Sequence, residues 1–422
     1  MSNPATAHKG AAARLAALAD DAFGGPLPLA LRTWDGSEAG PTGTSTVVVR
    51  HRRALRRLLW HPGELGLAQA YVTGEIDVDG DLGEALRTMW RAAREQAVHR
   101  PRVSLADRAR AVRTLIRLGA LGPPPAPPVT QSRLRGALHS RARDRAAISH
   151  HYDLSNAFYG FLLDDTMAYS CAFWPEPASD AELAHAQRAK LELICQKLQL
   201  SPGDRLLDIG CGWGALTLYA AEHHDVQVAA VTLAAEQATY VEEQARARGL
   251  ENRVEVRCQD YREPAGVGYD AVVSIEMGEH VGDAEYPAFA RLLHDRTRPG
   301  GRILLQQMSR GRQAPGGGAF IEAFIAPDMH MRPLGETVTL IEGAGLEVVG
   351  VEAMREHYVH TVAAWLRTLE EGWDEAVRLI GEEGARVWRL YLVGGGLAFE
   401  QGRMGVDQML AVRPEFPAGA GS

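Results

Sequence analysis

Residues Leu206–Gly214 read LLDIGCGWG: a short apolar run, an acid, then three glycines at alternate positions. The order predicts a buried strand that ends in a tight turn and opens a helix. Glycine lets the backbone turn and lets a ligand approach without meeting a side chain. The flanking sequence repeats that alternation. Strands are expected at Asp204–Ile209, Val226–Val231, Val254–Arg257, Tyr269–Ile275 and Arg302–Gln307. Helices are expected at Ala215–His223, Ala234–Ala247 and Tyr286–Leu293. Apolar strands separated by helices imply a parallel sheet covered on both faces, an α/β fold of the doubly wound type.

Ligands of such sheets bind beyond the carboxyl ends of the strands, which is where Asp208-Ile-Gly210-Cys-Gly212-Trp-Gly214 falls. A dinucleotide loop reads GxGxxG and offers a helix N-terminus to pyrophosphate. Here the spacing is GxGxG with an acid two residues before the first glycine. No phosphate needs holding. The pattern suits S-adenosylmethionine, which carries a carboxylate, an ammonium and a sulfonium. The second strand ends in Val231-Thr232-Leu233, where a dinucleotide enzyme would place an acid for the ribose. Thr232, Leu233 and Gln237 are therefore candidates for the ribose or amino-acid part. Gln259-Asp260-Tyr261 follows the third strand, where adenine contacts are expected. The sheet is thus read as a class I methyltransferase fold with helical additions.

The chain has 422 residues, more than one ordinary core needs. Leu121–Pro128 (LGPPPAPP) cannot sustain a helix and marks a boundary. A smaller α+β N-terminal domain is expected over 1–125, and the catalytic domain over 136–422. The first contains a strand at Thr46–Arg50 and helices at His51–Trp60, Leu82–Ala97 and Leu105–Leu118. A net charge of -8 gives no reason to expect nucleic-acid binding. No apolar run approaches the ~18 residues of a membrane span, and the N-terminus is read as lacking a secretory core. A cytoplasmic protein is expected. Cys171, Cys195, Cys211 and Cys258 form no CxxC pair, so neither a metal site nor a disulfide framework is indicated.

Several further segments together resemble the cyclopropane-fatty-acyl-phospholipid synthases, including the mycolic-acid cyclopropane synthases and related fatty-acyl methyltransferases. They are His151–Asn156 (HYDLSN), Tyr169–Trp174 (YSCAFW), the loop LDIGCGWG, Val231-Thr232-Leu233 with Gln237, and Gln259–Arg262. Glu279–Gly282 (EHVG) and His357-Tyr358, followed by Thr361 and Trp365, extend the match over roughly 146–400. Gly66–Asp81 is similar to the N-terminal domain of that family. The resemblance implies alkylation of a cis double bond in an acyl chain. The alkene takes the sulfonium methyl, becomes a carbocation, and a base removes a proton. It also implies that the base is a bound bicarbonate, held by Cys171, Glu279 and Tyr358, with Tyr169 and Ser170 beside the methyl donor. His280 is a further catalytic candidate, and Phe173, Trp174 and Tyr358 are candidates to face the cation.

The family has a histidine in the strand where this sequence reads Leu304-Leu305-Gln306-Gln307-Met308. Gln306 can donate to an anion but cannot carry a proton. The stretch Phe324–Met331 also departs from the family. Two products remain open: direct proton loss closes a cyclopropane, and a prior hydride shift gives a 10-methylene chain. A separate reductase acting on the second product is an implied partner. Arg50, Arg52, Arg53, Arg56 and Arg57, with arginines from Arg87 to Arg145, suggest docking on an anionic membrane surface. Peripheral association with the inner face of the membrane follows, and a homo-oligomer is expected. Methylation of a soluble small molecule, or a non-catalytic lipid-binding role, are the competing readings.

Overall fold

The structure is a computed structural model that describes residues 10–97, 105–132, 143, 156–175, 182–263, 266–311 and 316–415. The segment His151–Ser155 and the arginine-rich stretch 133–145, apart from Arg143, lie outside the described residues. The chain divides into two compact units. One comprises Met1–Gln131 with Gly381–Leu397, the other Ser132–Ile380 with Ala398–Ser422.

The first unit is α+β. Strands β1 (Ala30–Thr33), β2 (Glu38–Ala39), β3 (Thr46–Val49) and β4 (Ile76–Asp79) form a sheet in the order β2-β1-β3-β4. Helices Arg53–Trp60, Leu82–Ala97 and Leu105–Arg117 form where the apolar spacing placed them. The proline-rich stretch is tied to this unit. Arg57 Nη1 donates to the Ala126 carbonyl at 2.9 Å and Trp60 Nε1 to that of Gly122 at 3.2 Å.

The arginine cluster is more structural than its composition suggests. Arg57 is buried, with Nε 2.9 Å from Glu75 Oε2, and Glu75 is buried as well. Arg53 reaches the same carboxylate at 3.2 Å, and Arg50 pairs with Asp77 at 2.8 Å. Arg52 lies over the Trp34 ring. Arg57 is therefore a core cation, not part of a docking face. An isolated buried carboxylate is costly, and the guanidinium fork offsets that cost.

The second unit is built on a seven-stranded sheet. Its strands are β5 (Arg205–Ile209), β6 (Gln227–Thr232), β7 (Val254–Cys258), β8 (Tyr269–Ile275), β9 (Thr297–Ser309), β10 (Glu347–Ala353) and β11 (Gly405–Val412). Their order is β10-β11-β9-β8-β5-β6-β7. The five strands from β9 to β7 run parallel, while β11 is antiparallel to both neighbours. The period-2 alternation of strands explains the double burial. Leu206 and Leu304 face a core with helices Leu183–Leu198 and Ala215–His223. Leu207 and Leu305 face the opposite core, with helix Tyr286–Arg296. Apolar residues therefore stand side by side at Leu206-Leu207 and at Ile303-Leu304-Leu305. The expected class I methyltransferase arrangement with an α+β N-terminal part is what forms. Its glycine loop follows β5, an interior strand of the sheet.

Candidate active site

The loop after β5 takes the shape its glycines allow. Gly210, Gly212 and Gly214 have φ of 84°, 54° and 79°. A Cβ on Gly214 would stand 2.8 Å from Val241 Cγ2, so glycine is needed for packing as well as conformation. A Cβ on Gly212 would meet nothing, because that position opens on a pocket. Trp213 turns back to donate to Asn156 Oδ1 at 3.0 Å and packs on Tyr159.

The pocket lies at the carboxyl ends of β5, β6 and β8. It is lined by Tyr169, Ser170, Asp208, Gly210, Gly212 and Thr232, and by Leu233, Gln237, Gln259, Tyr261 and His280. Gly214 and Asp260 are not on its wall. Asp260 instead holds Arg262 by two hydrogen bonds, Nε at 2.7 Å and Nη2 at 2.6 Å, and it is Arg262 that reaches the pocket. Asp208 is buried, accepts from Thr217 Oγ1 at 2.7 Å, and is pushed up to about 6 by burial. Thr232 Oγ1 donates to Gln237 Oε1 at 2.7 Å. The Gln237 amide nitrogen is then a buried donor without a partner, in the wall of the pocket. Buried donors are ordinarily satisfied, so this one fits a ligand acceptor such as a ribose or carboxylate oxygen. The residues present thus fit S-adenosylmethionine.

Two site residues were not expected from the sequence. Lys190, on helix Leu183–Leu198, is fully buried and donates to Ser170 Oγ at 2.9 Å. Burial lowers its pKa, while Glu276, Asp164, Cys171 and Asp208 act to raise it. Its spacing from Ala186 and Ile194 puts it on the buried face of the helix, and its partner on the YSCAFW segment explains why a lysine stands there.

The second is Glu276, which follows β8 and also lines the pocket. It has φ 48°, a left-handed backbone that side-chain-bearing residues avoid. Its Oε1 accepts from the Cys171 backbone N–H at 2.7 Å and from Gln306 Nε2 at 2.9 Å. Its Oε2 accepts from Tyr358 Oη at 2.6 Å. Burial raises its pKa above the usual carboxylate value, against the opposing pull of these donors and of Lys190.

Cys171, Gln306 and Tyr358 therefore do converge, but behind the pocket wall and around a side chain. The Cys171 thiol donates to the Ala172 and Met354 carbonyls, and burial pushes its pKa well up, so it is a neutral packing group. Gln306 Oε1 accepts from Gln408 Nε2 at 2.9 Å, and Gln408 Oε1 accepts from Lys197 Nζ at 2.5 Å. A lysine can only donate. That fixes both amides and aims Gln306 Nε2 at Glu276.

Glu279 and His280 sit in the 3-10 turn Gly278–His280, one turn further on. Glu279 is buried, neither of its oxygens makes a well-formed hydrogen bond, and it is off the pocket wall. Burial, then the neighbouring Glu276, push it well above the carboxylate range. Phe173 packs against His357, and Trp174 Nε1 donates to Thr361 Oγ1 at 3.0 Å; both lie off the pocket wall.

The donors that Cys171, Gln306 and Tyr358 were expected to offer a bicarbonate are thus already taken by Glu276, and Glu279, the other expected holder, is off the pocket wall. The residues present do not fit that ion.

Comparison with known proteins agrees with this geometry. The family described as mycolic acid cyclopropane synthetase matches residues 139–409. A probable fatty acid methyltransferase of Mycobacterium tuberculosis is 38% identical over 400 residues, spanning 92% of this chain and 92% of the relative. A probable fatty acid methyltransferase of Pseudomonas putida is 37% identical over 396 residues, again spanning 92% of each. Among solved structures, the mycolic acid cyclopropane synthase CmaA1 complexed with SAH and CTAB aligns with a TM-score of 0.60 at 30% identity. That alignment covers 64% of this chain and 98% of the other.

Proposed function

The chain belongs to the mycolic acid cyclopropane synthetase family, S-adenosylmethionine-dependent enzymes of fatty acyl chains, and on that premise we propose that it alkylates the cis double bond of unsaturated acyl chains in membrane phospholipids. The product is a methylene-branched (10-methylene) or cyclopropane chain. S-adenosylmethionine, when bound, supplies an electrophilic methyl group.

The observation that carries this reading is a buried carboxylate, Glu276, in the wall of the methyl-donor pocket. Methylation of an alkene carbon leaves a cation on the chain. A fixed negative charge in a water-poor site lowers the barrier to forming such a cation. The chain's own residues do three things. Gln237, Thr232 and the glycine turn hold the donor. Lys190 fixes Ser170 at the pocket edge. Tyr358, Gln306 and the Cys171 N–H hold Glu276 in place. Among the described residues no helix is long and apolar enough to cross a membrane; in this reading the lipid is met at a surface.

The test supplies methyl-labelled S-adenosylmethionine and vesicles of anionic and zwitterionic cis-unsaturated phospholipid. Acyl chains are then read by mass spectrometry and proton NMR. A gain of one methylene unit per double bond consumed is expected. Cyclopropane or exomethylene proton signals identify the product. Label appearing only in small soluble acceptors overturns the reading.

A further inference from the structure

Glu276 stands where three donors converge from three separate parts of the chain. The Cys171 N–H comes from the YSCAFW segment, Gln306 from β9 and Tyr358 from helix Arg355–Glu371. This is a receptor for a two-oxygen anion, and the anion is covalently part of the protein. Two features indicate that the arrangement is built for the carboxylate. The backbone at Glu276 takes a left-handed conformation that any residue but glycine adopts reluctantly, and such outliers cluster at working sites. The Lys197–Gln408–Gln306 chain, with its fixed donor direction, ends on its oxygen.

The nearby Glu279 has poorer surroundings: neither oxygen makes a well-formed hydrogen bond, and only the backbone N–H groups of Glu279 and Met308 act on it. Paired acids in contrasting environments divide into a base and a neutral acid. Here three donors support the charged form of Glu276, while burial and the neighbouring Glu276 keep Glu279 neutral.

We propose that the Glu276 carboxylate is the built-in general base of this enzyme, replacing a diffusible bicarbonate. The inference rests on the acyl-alkylation reading above. In the step assigned to it, the alkene has already bonded to the donor's methyl carbon, the methyl–sulfur bond has broken, and the adjacent chain carbon is a cation. Glu276 takes a proton from the new methyl group. The C–H electron pair closes the ring bond when the proton leaves the new methyl group directly. After a hydride shift the same loss forms the exomethylene double bond. Cation and carboxylate are both neutralised, leaving a neutral product and a protonated Glu276. The proton departs to solvent when the pocket opens on product release.

The consequence is an enzyme indifferent to bicarbonate. Wild type, Glu276→Gln and Glu276→Gly are compared with S-adenosylmethionine and cis-unsaturated vesicles, in carbonate-free buffer and with added bicarbonate. Glycine suits the φ of 48° and empties the anion receptor; glutamine keeps the volume and removes the base. The wild-type rate should be the same in both buffers. Glu276→Gln should lose about 10²–10⁴-fold in turnover while keeping donor affinity and its near-ultraviolet circular dichroism. Glu276→Gly should be equally slow without carbonate and should recover part of the rate when bicarbonate is added. A second readout needs no acceptor: carbon-13 NMR of labelled bicarbonate with the donor-loaded proteins should show binding to Glu276→Gly and none to wild type. Wild type that requires bicarbonate, or binds it as well as Glu276→Gly does, overturns the proposal, as does a folded Glu276→Gln variant within about tenfold of the wild-type rate. If wild type moves no methyl group to acyl chains, the function reading fails, and the bicarbonate-binding comparison still decides whether Glu276 fills the anion receptor.

Discussion

Asp208 shows how far one residue can be read from sequence. Its place two residues before Gly210 marked it as part of a methyl-donor loop, and the structure puts it on the pocket wall. What the motif does not show is its protonation. Burial holds it near 6, against the ordinary aspartate value of 3.8, despite the Thr217 hydroxyl and Lys190. Between those values the folded protein keeps a proton that the unfolded chain has released. Stability therefore falls as pH rises through that window, by on the order of 1–3 kcal/mol. Asparagine has nothing to titrate. In the ligand-free protein, the stability of Asp208→Asn relative to wild type should rise by that amount between pH 4 and pH 7. Urea unfolding at both values checks it; parallel pH curves would exclude the assignment. Glu276 is the contrasting case. The segment Ser274-Ile-Glu-Met-Gly-Glu-His280 offers two glutamates, and spacing alone favours Glu279 through the EHVG match. Only the three converging donors, distant in sequence, single out Glu276.

At the scale of elements, β5, β6, β8 and the Ile303–Leu305 part of β9 were legible as short apolar runs, and β7 (VEVRC) as a strand-like alternation. Strands β10 and β11 were not. β10 lies at the sheet edge with an exposed-to-intermediate alternation, and β11 runs antiparallel after a long helical stretch, so neither follows the strand–helix rhythm. Helix Arg53–Trp60 was legible as a helix but misleading as a charged face. Its arginines look alike in sequence, yet Arg57 is 5% exposed, and 57% of the Arg53 side chain is exposed, though both reach Glu75. Burial decides their worth. Arg57→Met leaves the Glu75 charge in the core with only the exposed Arg53 beside it, and should cost about 3–5 kcal/mol. Arg53→Met should cost about 1 kcal/mol or less, as exposed pairs do. The double variant Arg57→Met with Glu75→Leu should recover most of the loss, since well-packed apolar replacements of a buried pair are often neutral. Urea unfolding of these variants together with Glu75→Leu gives the coupling. Equal losses at Arg53 and Arg57 would show that the pair is not buried in solution.

At the scale of the whole molecule, the proline-rich stretch Leu121–Pro128 signalled that the chain divides, but no local signal shows that it divides twice. The helical stretch Trp373–Glu400 breaks at Gly381, with φ 73° and ψ 163°, and from there to Leu397 the chain belongs to the first unit. A single glycine inside a helical pattern is too common to mark a crossing. The crossing is secured by Arg386. Its guanidinium donates to the Tyr71 carbonyl at 2.7 Å and the Ile76 carbonyl at 3.1 Å, reaches Asp77, and stacks on the Tyr71 ring. These partners all precede residue 132, whereas the methyl-donor pocket lies wholly after it. The matched mycolic acid cyclopropane synthase aligns over 98% of its own length with 64% of this chain, so a relative exists without a counterpart for much of the remainder. A fragment of residues 132–422 would nonetheless carry Arg386, Leu392 and Val393 without the unit in which they are buried. It should be recovered as an aggregate or as a state lacking near-ultraviolet circular dichroism, and co-expression with residues 1–131 should restore a soluble complex that binds S-adenosylmethionine. A monodisperse, fully folded 132–422 fragment would mean that Gly381–Leu397 does not depend on the first unit for its structure.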